Sequence, residues 1–195
     1  MEHLRGMNRA ILRSDTGLAV LRSGSLALVI LPPYPMPENL LSLSWDPSSL
    51  QVMLETEYTI GLVLLRLGRF SVAVYRGERL ESSKTDARYV IGRHHAGGTS
   101  QKRFQRIREG QVRRLYDKAC RVVQSQFDPF SEELDYILLG GDKFTLDGFL
   151  KECSYLERWR SKILGRRLNV RDPKRDTLEQ AGGMLGDSRV YPLEW

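Results

Sequence analysis

The residues of this 195-residue chain best suited to chemistry lie in one stretch, Arg93-His94-His95-Ala96-Gly97-Gly98-Thr99-Ser100-Gln101-Lys102-Arg103. Two adjacent glycines form its tip. Glycine visits φ > 0 freely and has no side chain to block a close backbone approach, so Gly97-Gly98 suits a loop whose own amides must touch something. Gln101 follows where a helix is expected to begin. The first N–H groups of a helix have no internal partner, and the positive end of the helix dipole lies there. Such a place favours an anionic group or a developing oxyanion. Ser100 lies near His94 and His95, but no acidic residue in the stretch would orient a histidine, which argues against a Ser-His-acid hydrolase. Either histidine can act as a general base near neutral pH.

The elements on both sides must hold this loop. Behind it, Phe104, Ile107, Val112, Leu115, Ala119, Val122 and Val123 recur at three- and four-residue steps, which predicts an amphipathic helix of about six turns. Phe104 and Ile107 are expected in its core face. The other faces carry Lys102, Arg103, Arg106, Arg113, Arg114 and Lys118. Thr99 or Ser100 can serve as a simple N-cap. In front of the loop, Thr59–Leu67 is a nearly continuous apolar run, as expected of a central strand covered on both faces. Phe70–Tyr75 alternates with period two, and Arg79–Val90 reads as a third, more polar strand.

Downstream, Tyr136–Gly140 is a short apolar strand, and Asp142 caps a helix from about Lys143 to Leu156 without any need for a catalytic role. Lys162–Val170 reads as a last strand. A helix from Asp176 is expected to end at Gly182-Gly183. Upstream, Leu18–Arg22 and Leu26–Leu31 read as a hairpin, and the prolines from Pro32 to Pro37 stop regular structure. Asp46-Pro47 starts a further helix. These elements predict an α/β fold, a mixed sheet flanked by helices. We divide the chain into an N-terminal hairpin and extended segment, residues 1–45, and a main domain, residues 46–195.

A net charge of +6 points to a polyanionic partner. The excess is local. Between residues 88 and 121, Arg88, Arg93, Lys102, Arg103, Arg106, Arg108, Arg113, Arg114, Lys118 and Arg121 face only Glu109 and Asp117. A solvated helix face would have the same composition, but the position beside the glycine loop favours RNA. Cys120 and Cys153 are the two cysteines. Without a Cys-x-x-Cys or a His/Cys cluster they indicate neither a zinc site nor a disulfide framework, and both are expected as small buried apolar residues. No apolar run is long enough to span a membrane, and no signal peptide is recognisable, so the cytoplasm is expected.

The loop and its continuation, Gln101-Lys102-Arg103-Phe104-Gln105-Arg106-Ile107-Arg108, resemble the catalytic loop of the class-I release factors of eukaryotes and archaea. There, Gly-Gly-Gln enters the peptidyl-transferase centre and promotes hydrolysis of peptidyl-tRNA. Thr99 and Ser100 lengthen the step from Gly98 to Gln101. This makes the chain similar to the Vms-one-like release-factor family, which frees nascent chains from stalled large ribosomal subunits. The resemblance runs from roughly Tyr58 to the end. It implies a ribonuclease-H-like release-factor catalytic domain. It also implies a catalytic loop of Gly97, Gly98 and Gln101, with Gln101 positioning water or donating through its amide. The RNA contacts it implies are Arg93, His94, His95, Thr99, Ser100, Lys102, Arg103, Arg106, Arg113 and Arg114. The expected partners are the large ribosomal subunit and peptidyl-tRNA, met by a monomer with no cofactor, no metal and no membrane. No codon-reading domain is recognisable, so release should not depend on a codon. Two other functions fit the same residues. His94 or His95 can drive cleavage of the tRNA 3′ CCA end, or the altered spacing can leave a non-enzymatic ribosome- or RNA-binding module.

Overall fold

The computed structural model describes residues 14–36, 44, 46–92 and 99–194. The chain divides into two compact units, Met1–Glu57 with Gly182–Trp195, and Tyr58–Ala181. In the first, β1 (Ala19–Ser23) and β2 (Leu26–Leu31) form the expected hairpin, and β8 (Arg189–Glu194) pairs antiparallel with β2. Ala27, Val29 and Leu31 of β2 are buried. Helix α1 (Ser48–Glu55) starts where the Ser48 N–H donates to Asp46 Oδ1 at 3.1 Å.

The second unit carries a five-stranded mixed sheet in the order β5-β4-β3-β6-β7, flanked by helices. β3 (Thr59–Arg66) is its middle strand, and seven of its eight residues are buried, as its apolar run predicts. β4 (Arg69–Arg76) departs from its alternating pattern, because its six inner residues are all buried. The more polar face of β4 is covered because its polar atoms are satisfied. Ser71 Oγ donates to Pro173 O (2.8 Å), and the Tyr75 hydroxyl donates to Leu178 O (2.5 Å). Burial pushes the Tyr75 phenol well above its ordinary range. β5 (Arg79–Ala87) is the polar edge strand.

Helix α2 (Thr99–Phe127) lies on the other face of the sheet, where Leu115, Ala119, Val123 and Phe127 join Val63, Leu65, Phe70 and Val72 in the core. Its far end is fixed at the start of β3. A Cβ on Gly61 would lie 2.6 Å from Phe127 Cζ, so only glycine lets that ring in. α2 then runs toward the ends of β3 and β6 that point away from Gly61, and begins beyond them. β6 (Tyr136–Gly141) pairs parallel to β3. It leads into α3 (Lys143–Glu152), whose cap is Asp142 accepting the Thr145 N–H at 3.0 Å. Burial raises the Asp142 pKa, but the Thr145 hydrogen bonds and the nearby Arg66 charge outweigh it and hold the carboxyl below the ordinary range.

Three expectations are corrected here. Helix α3 stops at Glu152 rather than near Leu156, and a 3-10 stretch, Ser154–Lys162, leads to β7 (Ile163–Leu168). Helix α4 (Arg175–Leu185) runs through Gly182 and Gly183. The buried stripe of Leu178, Ala181 and Leu185 outweighs the ~1 kcal/mol that each helical glycine costs relative to alanine. The cysteines are not free, since Cys120 of α2 and Cys153 at the end of α3 form a disulfide across a separation of 33 residues. Sequence spacing carries no record of this meeting, which depends on how α2 and α3 pack. Cross-linking a loop of that length stabilises by about 3.7 kcal/mol, mainly through the unfolded chain. A thiol reductant is therefore expected to lower the melting temperature by roughly 10 °C. A Cys120→Ala/Cys153→Ala chain should melt low with or without reductant, and a reductant-insensitive wild type would contradict the bond.

Candidate functional site

Gln101 sits on an arm. Helix α2 has 29 residues and is about 43 Å long, whereas the eight-residue β3 spans about 26 Å. The first buried residue of α2 is Leu115, so Gln101 stands about 21 Å farther along the helix axis. This overhang overturns the expectation for Phe104 and Ile107. They lie on the apolar side of the helix, but they are 44% and 39% exposed because the sheet ends before it reaches them.

Thr99 and Ser100 are both helical, so neither is the N-cap, and Gln101 falls in the first turn. Its backbone N–H is among the four that an α-helix leaves unpaired at its start. No acidic residue lies in that turn to offset the positive end of the dipole. The Gln101 side chain is exposed. The arrangement can present an amide donor and a carboxamide to an anionic or carbonyl oxygen. Arg93, His94, His95, Gly97 and Gly98 lie outside the described residues.

Lys102, Arg103, Arg106, Arg113 and Arg114 are all exposed. At about 100° per residue they fall within one arc of about 120°, opposite the face that carries Leu115 and Ala119. The helix thus carries a cationic stripe from its tip to its midpoint. Lys118 lies outside it and is paired with Asp86 at 2.7 Å, which holds the Asp86 carboxyl below its ordinary range.

A clamp at the base of the arm was not legible in the sequence. The limb that leaves β5 returns to α2 at Ile91. The Ile91 N–H donates to Gln111 Oε1 at 2.9 Å, and Arg108 Nε donates to Ile91 O at 3.0 Å. Both backbone groups of Ile91 are thereby held by the helix, which ties Ile91 to the base of the arm. Arg108 and Gln111 look like ordinary polar helix residues. The one hint was that Arg108 lies toward the buried side of the helix, away from the cationic stripe.

No group of three or more His, Cys, Asp or Glu able to hold a metal ion occurs among the described residues. No helix among the described residues is long and apolar enough to cross a membrane.

Comparison with known proteins places this arrangement. Peptide chain release factor subunit 1 of Archaeoglobus fulgidus is 32% identical over 142 residues, which cover 70% of this chain and 34% of the relative. That of Methanosphaera stadtmanae is 33% identical over 101 residues, 52% of this chain and 25% of the relative. The chain thus spans a quarter to a third of the length of these curated relatives. The crystal structure of the archaeal translation termination factor aRF1 matches with a TM-score of 0.51 at 18% identity, over 80% of this chain and 46% of that one. The Vms1 mitochondrial localization core matches with a TM-score of 0.53 at 16% identity, over 98% and 84%. At such identities the two structures show the fold. A family model described as the Actinobacteria/chloroflexi VLRF1 release factor matches residues 58–190, which take in the sheet, the clamp and the arm. The chain belongs to this VLRF1 release-factor family.

Proposed function

We propose that this protein is a codon-independent peptidyl-tRNA hydrolase of ribosome rescue, releasing nascent chains from stalled large ribosomal subunits in the cytoplasm. The observation that carries the proposal is the placement of Gln101 in the first turn of an exposed, cationic arm, in a chain of a release-factor family. The arm is long enough to enter a narrow RNA-lined site while the sheet stays outside. Peptidyl-tRNA is an ester, and its hydrolysis passes through a tetrahedral oxyanion. Donors aimed at that oxyanion and a positioned water lower the barrier. In this reading Gln101 supplies one or both, Gly97 and Gly98 permit the close approach, and the ribosome completes the site. The cations of the arm, with Arg93, His94, His95, Thr99 and Ser100, contact RNA, and phosphate contacts of this kind position the arm without reading sequence.

The test is release of a labelled peptide from purified large subunits carrying peptidyl-tRNA and no mRNA. Wild-type protein should free the peptide, and release that needs a programmed stop codon would refute the proposal. The clamp gives a second expectation. Arg108→Met with Gln111→Leu frees Ile91 and loosens the base of the loop, so release should fall by about tenfold or more through lost positioning. Subunit binding should stay near wild type. Unchanged release would show that the loop is oriented by the ribosome alone.

A further inference from the structure

The sheet end from which the arm projects carries a second feature that the loop does not use. Tyr89 is 76% exposed and Phe144 is 86% exposed. A single exposed aromatic is unremarkable. These two occupy the same edge, and each follows an exposed cation in sequence, Arg88 and Lys143.

The strand register fixes the placement. Leu65 of β3 pairs with Gly141 of β6, which leads through Asp142 to Lys143 and Phe144. On the other side of β3, Arg66 pairs with Arg69, and Arg69 pairs with Ala87 of β5. The Arg88 N–H then donates to Gly68 O at 2.8 Å. The ends of β5 and β6 that lead into Tyr89 and Phe144 are therefore about three strand spacings, roughly 14 Å, apart along one edge. The nearby acids are already engaged. Asp142 caps α3, and Asp172 is paired with Arg69 at 3.0 Å and with Lys174 at 2.9 Å.

We infer that this rim is a second RNA contact, in which Tyr89 and Phe144 stack on unpaired bases while Arg88 and Lys143 hold the flanking phosphates. The inference rests on the reading of RNA as the partner, and it names residues outside the loop and the cationic stripe. Charge complementarity selects the occupant, since exposed rings among uncompensated cations match a polyanion whose bases have π faces. Duplex RNA hides those faces, so the rim should favour single strands.

The experiment is anisotropy titration of a labelled single-stranded RNA of about ten nucleotides, with the same sequence as a duplex for comparison. Tyr89→Ala/Phe144→Ala should melt like wild type, because both rings are exposed. It should bind the single strand about tenfold or more weakly and the duplex nearly unchanged. Tyr89→Phe/Phe144→Tyr should restore binding, and Leu at both positions should not, which separates stacking from apolar contact. Equal loss on both RNAs, wild-type affinity in the double Ala variant, or crosslinks from residue 144 that reach only protein on the large subunit would overturn the rim. If release fails while binding still depends on the rings, the hydrolase reading falls and the rim stands. If release succeeds and the rings prove irrelevant, the reverse holds.

Discussion

Gln101→Ala is expected to lower peptide release by about 10²–10³-fold, the cost of removing one preorganised donor from an oxyanion site. The folded state should not notice. Gln101 is exposed and lies far beyond the first buried residue of α2, and alanine is the better helix former. Binding to the large subunit should persist, because the cations at 102, 103, 106, 113 and 114 remain. Gln101→Glu separates shape from charge. A carboxylate in the first turn suits the helix dipole, so the variant should be as stable as wild type or slightly more so. It would place a negative charge where an oxyanion develops and should release no better than the alanine variant. Single-turnover release and subunit binding, measured on the same preparations, decide it. Release by Gln101→Ala within a few-fold of wild type would leave the backbone amide as the acting group.

The largest stability effect is expected at Gly141. This residue ends β6 at φ +134°, a conformation that residues with a Cβ rarely adopt, and an added Cβ would lie 2.1 Å from Leu65 O. The contact is with backbone of the central strand, so neither side can move without breaking the β3–β6 ladder. Strain and displacement together should cost Gly141→Ala about 4 kcal/mol or more. In a domain of this size that is a fall of roughly 10 °C or more in melting temperature. Gly110 is the contrast. It lies inside α2, and a Cβ there would meet nothing within 4 Å. Gly110→Ala should therefore stabilise the arm, by up to about 1 kcal/mol. Thermal melts of the two variants should move in opposite directions, and a mild effect at Gly141 would mean that β6 ends differently.

The parts of this structure that were legible in the sequence are those where one local pattern has one meaning. The apolar run of β3 has strand length and a turn at Gly68-Arg69, so it reads as a strand covered on both faces, and the Asp142 cap is announced by its place between a strand and a helix. The reading failed where burial depends on a partner in space. β4 alternates in sequence, yet Ser71 and Tyr75 are buried because Pro173 and Leu178 offer carbonyls to them. Phe104 and Ile107 have the right period for a core face, but periodicity reports which side of a helix is apolar and not where the sheet beneath it ends. Gly182-Gly183 reads as a stop, and the buried stripe of α4 carries the helix past it. The Cys120–Cys153 bond and the grip of Arg108 and Gln111 on Ile91 join distant positions, and neither leaves a local trace. The site itself was visible only as a motif. Its elevation on a helical overhang emerges from comparing the length of α2 with that of β3.

The central claim is that the chemistry is ester hydrolysis through Gln101, and one measurement reaches it most directly. Purified large subunits bearing peptidyl-tRNA labelled in both the peptide and the tRNA are mixed with wild type or Gln101→Ala, and both products are resolved. The expected result is free peptide and tRNA with an intact CCA end for wild type, with neither released by Gln101→Ala. A shortened tRNA, formed equally well by Gln101→Ala and lost when His94 and His95 are replaced, would contradict it and assign the protein to nucleolytic cleavage.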